Sequence, residues 1–180
     1  MKLLQYDHHT PAISRDLIMH ANELCRHLRS QMNASDIIPF PRIVIRQLPI
    51  LLYLADGNLR DKVVLDLGCG STKSRDNYYS LYEPWLCRVL HKIGAKPIGI
   101  DLSIFPPIEE FEAYKIDLLK PDSLCFLPDG YVGLAHANSL FSSPILHKTH
   151  GPDCSQRLMD NLLPQLERIV KKNGWFAYSS

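Results

Sequence analysis

This sequence predicts an α/β fold, a Rossmann-like and mostly parallel sheet with helices on both faces, and three observations carry the prediction. Residues 62–67 (KVVLDL) and 97–102 (PIGIDL) are short apolar runs suited to buried strands, the first followed by glycines and the second closed by an acid. Between them, Trp85, Leu86, Val89, Leu90 and Ile93 recur at helical spacing, with Pro84 to open the helix and Gly94 to end it. Further strand-like and helical segments alternate beyond these, a pattern that implies parallel pairing with both faces covered.

Taken in order, Thr10 and Pro11 offer a helix start, because threonine caps and proline suits the first turn. Ile13, Leu17, Ala21, Leu24, Leu28 and Met32 follow at three- and four-residue steps, which gives an amphipathic helix with one face to bury. The break Ile38-Pro39-Phe40-Pro41 leads into a second apolar helix over 42–55, closed by Asp56-Gly57-Asn58. Two helices therefore precede the first strand. Residues 1–60 read as a helical N-terminal cap and 61–180 as the α/β core of a single domain. A weaker third strand is expected over 112–118 and a fourth over 131–135. Helix 154–172 turns Leu158, Leu162, Leu166, Ile169 and Val170 inward, and after the Asn173-Gly174 turn a last strand spans 175–179. The sequence has no internal repeat and no low-complexity segment.

Composition narrows the function classes. With 180 residues and 46% hydrophobic content the chain can bury one sizeable core, whereas two domains would each be marginal. The 20 basic and 19 acidic residues leave a net charge of +1, so no whole-molecule field draws it to nucleic acid or a membrane surface. The longest apolar stretch, 48–55, is far short of the roughly 20 residues that cross a bilayer, and Pro49 interrupts it. The five cysteines form no CxxC pair and the start, MKLLQYDHH, lacks the apolar core of a secretory signal, which suggests a soluble, cytoplasmic protein with reduced thiols.

Parallel α/β sheets bind ligands beyond the carboxyl ends of their strands, so the residues there are the candidate site. After the first core strand, Asp66-Leu67-Gly68-Cys69-Gly70-Ser71 lets the backbone turn sharply and approach a ligand, while Asp66 can order the loop or reach an ammonium group. After the second, Asp101 can accept two hydroxyl hydrogen bonds from a ribose. After the third, Asp117 offers an acceptor for an exocyclic amine, with Leu118 as an apolar contact beside it.

These segments, VVLDLGCG, GIDLS, YKIDLLKPDSLCFLP and LLPQLERIVKKNGWFAY, resemble successive motifs of class I S-adenosylmethionine-dependent methyltransferases, over roughly two thirds of the chain. The resemblance implies that Asp66, Gly68, Cys69 and Gly70 form the cofactor loop, with the two glycines near the methionine moiety. It further implies that Asp101 holds the ribose hydroxyls, that Leu102 lies against adenine, and that Asp117 receives the adenine amine with Leu118 as an apolar contact beside it. Residues 136–141 then fall where the family lines the methyl-transfer site, with Asn138 as a cofactor or acceptor contact. A nicotinamide-dependent oxidoreductase would use Asp101 similarly, but its GxGxxG loop is absent, since Ser71, Thr72 and Lys73 follow Gly70.

The sequence departs from the family in three places. Thr72 stands where a third glycine is common. The insertion 71–83 carries Lys73, Arg75, Tyr78, Tyr79 and Tyr82 toward the mouth of the site, as a lid, a substitute contact to the cofactor carboxylate, or a simple surface excursion. The chain stops just after the expected fifth strand, so the C-terminal end of the usual fold is missing. An exposed sheet edge there invites homodimerisation. A non-catalytic binding or regulatory relative of the family is the alternative that these departures support.

Methyl transfer is an in-line displacement in which the protein aligns donor and nucleophile and, for a weak acceptor, removes a proton. His136 as a base and Asn138 and Ser139 as orienting groups are the candidates, although His136 also suits a hydrogen-bonded structural role. The Asn/Asp-Pro-Pro-Tyr signature of amino-group methylation on bases is absent. His147, His150 and Cys154 have zinc-ligand types but no evident fourth partner, so no metal is expected and a polar loop leading to helix 154–172 is. Arg15, His20, Arg26, His27 and Arg29 read as solvated helix surface, as does the terminal pair His8 and His9. The acceptor is open, with near-neutral charge favouring a small molecule.

Overall fold

The computed structural model describes residues 1–6, 13–30, 42–70, 83–102 and 109–179. In chain order these form β1 (Lys2–Gln5), α1 (Arg15–Ser30), α2 (Arg42–Leu54), β2 (Val63–Leu67), α3 (Trp85–Lys92), β3 (Lys96–Asp101), β4 (Glu112–Lys115), β5 (Val132–Ala137), α4 (Pro144–His150), α5 (Cys154–Ile169) and β6 (Val170–Tyr178). All six strands pair in parallel in the order β1-β6-β5-β2-β3-β4, which is a Rossmann-like α/β arrangement.

Alternation along the central strands assigns each face its helices. On one face Val64, Leu134 and Ala177 meet Ala21 and Leu28 of α1, Leu48 and Leu51 of α2, and Leu86 and Leu90 of α3. On the other, Leu65, Leu67, Ala135 and Phe176 meet Leu158, Leu162, Leu166 and Ile169 of α5. The two N-terminal helices are thus part of one face of the core. The inward residues of α5 are the expected ones, except that Val170 already belongs to β6.

The expected starts of α1 (Thr10, Pro11) and α2 (38–41), Met32, His8 and His9 lie outside the described residues, as do residues 71–82 of the insertion, with Thr72, Lys73, Arg75, Tyr78, Tyr79 and Tyr82. The Asp56-Gly57-Asn58 closure stands where expected, with the Gly57 amide returning to the Leu52 carbonyl at 2.8 Å. None of the described helices is long and apolar enough to cross a membrane.

Three elements differ from the sequence expectation. The first is β1: a strand, not a helix, opens the fold, and Lys2 to Gln5 pair in register with Trp175 to Tyr178. The edge of β6 that the sequence offered to a second chain is therefore occupied by the protein's own N-terminal segment. The second is α4, a helix inside what reads as a polar loop; Ser143 caps it by accepting from the Leu146 amide, and Pro144 takes the first turn. The third is β6, which begins at Val170 and carries the Asn173-Gly174 turn signal as an irregularity within the strand. Val132 pairs with Val170 but Leu134 pairs with Trp175, so the extra residues bulge out.

Candidate functional site

β2, β3, β4 and β5 all end at one cavity of about 540 Å3. Its position follows from topology: β3 and β4 extend the sheet to one side of β2 and β5 to the other, which leaves a crevice where the order reverses. Of the residues expected to bind a cofactor, Asp66, Gly68, Cys69, Gly70, Asp101, Leu102, Asp117, Leu118 and Asn138 all line it. His136 does not.

The loop after β2 is fixed by its backbone. The Gly68 and Cys69 amides both donate to the Ile100 carbonyl, at 2.8 and 3.1 Å, and the Gly70 amide donates to Asp101 Oδ2 at 3.1 Å. Gly68 and Gly70 sit at φ of +70° and +85°, where a side chain is strained. A methyl group on Gly68 would also stand 2.8 Å from Leu140 Cδ1. Asp101 thus braces the loop as well as facing the cavity. Asp117 turns its own segment, its Oδ1 accepting from the Leu119 amide at 3.0 Å. Asn138 and Ser139 are anchored to the end of β6: Ser179 Oγ donates to Asn138 Oδ1 at 3.2 Å and accepts from the Ser139 amide at 2.9 Å.

Beneath the loop lies a buried polar row. Asp66 and His136 are register neighbours on β2 and β5, and His136 Nδ1 stands 2.9 Å from Asp66 Oδ1. A carboxylate can only accept, so Nδ1 donates, and Nε2 pairs with the Tyr6 hydroxyl 2.5 Å away. His136 exposes no surface, and burial, followed by the charge of Asp66, pushes the Tyr6 pKa well up against the opposing bond from Ser179. Asp66 Oδ2 accepts from the Cys87 thiol at 3.6 Å. Both oxygens of Asp66 therefore have inward partners, on β5 and α3, and tie the strand beneath the loop to its neighbours. His136 is a tie between strands rather than part of the cavity wall. Burial raises the pKa of the Cys69 and Cys87 thiols, which stay protonated at neutral pH.

His147, His150 and Cys154 do not converge. His147 Nε2 lies 3.2 Å from both the Phe141 carbonyl and Ser155 Oγ, while Cys154 is buried at the start of α5. Among the described residues no group of three metal-ligating side chains comes together. Arg15, His20, Arg26 and His27 are exposed on α1 and do not line the cavity.

The sequence reading missed several wall residues: Val44 and Gln47 from α2, Glu83 ahead of α3, and Ser143 and His150 around α4. It also missed Tyr6. Glu83 ends the insertion and has no periodic context, and Tyr6 belongs to a segment too short for alternation to be read. Glu83 is buried, and its Oε2 accepts from Arg88 Nη1 at 2.6 Å while Glu109 grips the same guanidinium through Nε and Nη2. Burial works against the Arg88 charge, but the bonds to Glu109 and Glu83 outweigh it and raise its pKa. Comparison with protein-family models and with curated proteins finds no match to this chain.

Proposed function

We propose that this protein binds S-adenosylmethionine in the cavity at the strand ends and transfers its methyl group to an acceptor, a small molecule by preference. The observation that carries the reading is convergence. Nine residues that the motif resemblance names, scattered from Asp66 to Asn138, line one cavity of about 540 Å3, within the roughly 300–1,000 Å3 usual for small-molecule sites. In this reading the Gly68–Gly70 turn lies under the methionine half, Asp101 receives the ribose hydroxyls, and Leu102, Asp117 and Leu118 hold adenine. The protein's share of the chemistry is alignment: Asn138 and Ser139, braced by Ser179, orient the acceptor against the sulfonium. The five free thiols suit a reducing compartment such as the cytoplasm.

One observation favours a second reading, a binding or regulatory protein that keeps the fold and the cofactor without turnover. His136, the candidate base, is bonded on both nitrogens and buried behind Asp66. An acceptor that already carries a nucleophilic amine or thiolate needs no base, so the first reading stands without His136.

Calorimetric titration with S-adenosylmethionine and S-adenosylhomocysteine tests the donor site, with NAD as control. Micromolar binding of both, abolished by Asp101→Ala and not seen with NAD, is the expected result. No binding to a folded chain overturns the reading. Turnover on any acceptor then excludes the regulatory alternative.

A further inference from the structure

Buried polar atoms in folded proteins nearly always have hydrogen-bond partners, so exceptions call for an explanation. Among the described residues two buried side-chain atoms lack one, Glu83 Oε1 and His150 Nε2, and both residues line the cavity. They approach it from opposite faces of the sheet. Glu83 leads into α3, whose Trp85 and Leu86 pack with α1 and α2, while α4 carries His150 and packs Leu146 toward α5. His150 is only partly buried, whereas the Glu83 side chain keeps 6% of its surface.

Glu83 is held firmly and incompletely satisfied. Its Oε2 is bound to Arg88, yet Arg88 is shared with Glu109, so one positive charge faces two carboxylates and the cluster keeps a net negative charge. The described cavity wall adds Asp66, Asp101 and Asp117 and contains no lysine or arginine. Asp66, the acid first placed to reach an ammonium group, spends both oxygens on His136 and Cys87. What remains is a buried carboxylate oxygen in an acidic wall, and its complement is a cationic hydrogen-bond donor.

We propose that Glu83 is the ammonium anchor of the site, its Oε1 accepting a hydrogen bond from the α-amino group of the bound adenosyl amino acid. This rests on the cofactor reading above and assigns to Glu83 a task that the sequence offered to Asp66. Oε1 exposes almost no surface, so an ammonium group reaches it only as the side chains around it give way, and the bond then made is shielded from water, where a charge-assisted bond is strongest. Glu83 then selects ligands that keep the amino acid over thioethers that have lost it.

The test is calorimetry on wild type and Glu83→Gln with S-adenosylhomocysteine and with 5′-methylthioadenosine, which keeps adenine and ribose but lacks the amino acid. The glutamine carbonyl can still accept from Arg88, which turns its amide donor toward the ligand's ammonium. S-adenosylhomocysteine should bind the variant about tenfold to a hundredfold more weakly, and methylthioadenosine within about twofold of wild type. Unchanged S-adenosylhomocysteine affinity, or an equal loss for both ligands, overturns the assignment. Should the variant not fold, wild type is titrated with the deamino analogue of S-adenosylhomocysteine: a loss of tenfold or more supports the anchor and undiminished binding overturns it. If wild type binds neither adenosyl compound, the cofactor reading falls and this proposal falls with it.

Discussion

At the scale of single residues, tight spaces around the loop after β2 decide what the positions tolerate. Gly99 in β3 shows this best. A methyl group there would stand 2.9 Å from Cys69 Sγ, 3.1 Å from Phe111 Cε2 and 3.3 Å from Cys87 Sγ. Gly99→Ala should therefore cost about 1–3 kcal/mol in urea unfolding by overpacking, and should weaken ligand binding by displacing Cys69. Equal stability of variant and wild type would show that the two thiols yield without strain. Much of this scale was legible in the sequence. Gly68, Gly70, Asp101 and Asp117 each follow or close a strand, and backbone chemistry alone picks such positions. Glu83 and His150 were not legible as site residues: Pro84 announces the start of α3 but not that the carboxylate before it lines the cavity, and α4 lies in what reads as a polar loop. Asp66 was legible as a strand-end acid, but its partners His136 and Cys87 were not, and neither was the continuation of the row to Tyr6, 130 residues from His136.

At the scale of elements, β2, β3, β5 and α5 were readable because each carries a run long enough to show its period. β1 was not, since four residues of which two are apolar fit any structure. Its identity comes from β6, which supplies a full row of backbone partners. Beyond backbone pairing, β1 delivers Tyr6 to His136, with Ala177 of the intervening strand in the same buried cluster and small enough to let the phenol pass. Tyr6→Phe leaves His136 Nε2 without its partner and should lower stability by about 1–3 kcal/mol in urea, with little change in fold. Ala177→Leu, which fills the passage, should cost at least as much. If Tyr6→Phe unfolds at the wild-type denaturant concentration, the row is ornamental.

For the whole molecule, buried thiols and a phenol shape the alkaline limb of the pH dependence. Burial raises the Cys25 pKa from 9.0 to about 11, and it also raises those of Cys69, Cys87 and Tyr6. A raised folded-state pKa stabilises the protein fully below the unfolded-state value and ceases to as pH climbs to the folded one. Stability should thus fall as pH rises from 9 to 11, and Cys25→Ala should remove part of that slope in thermal melts. A flat profile across this window would contradict it. The pairing of β1 with β6 has a further consequence for how the molecule is made. Gln5 meets Tyr178 across 173 residues, so during synthesis β1 has no partner until β6 emerges. The tie from Tyr6 to His136 forms only then. The floor beneath the cavity is finished after β2 to β5 are out, and a nascent chain can hold the strand ends that line the site before it holds the strand that locks them.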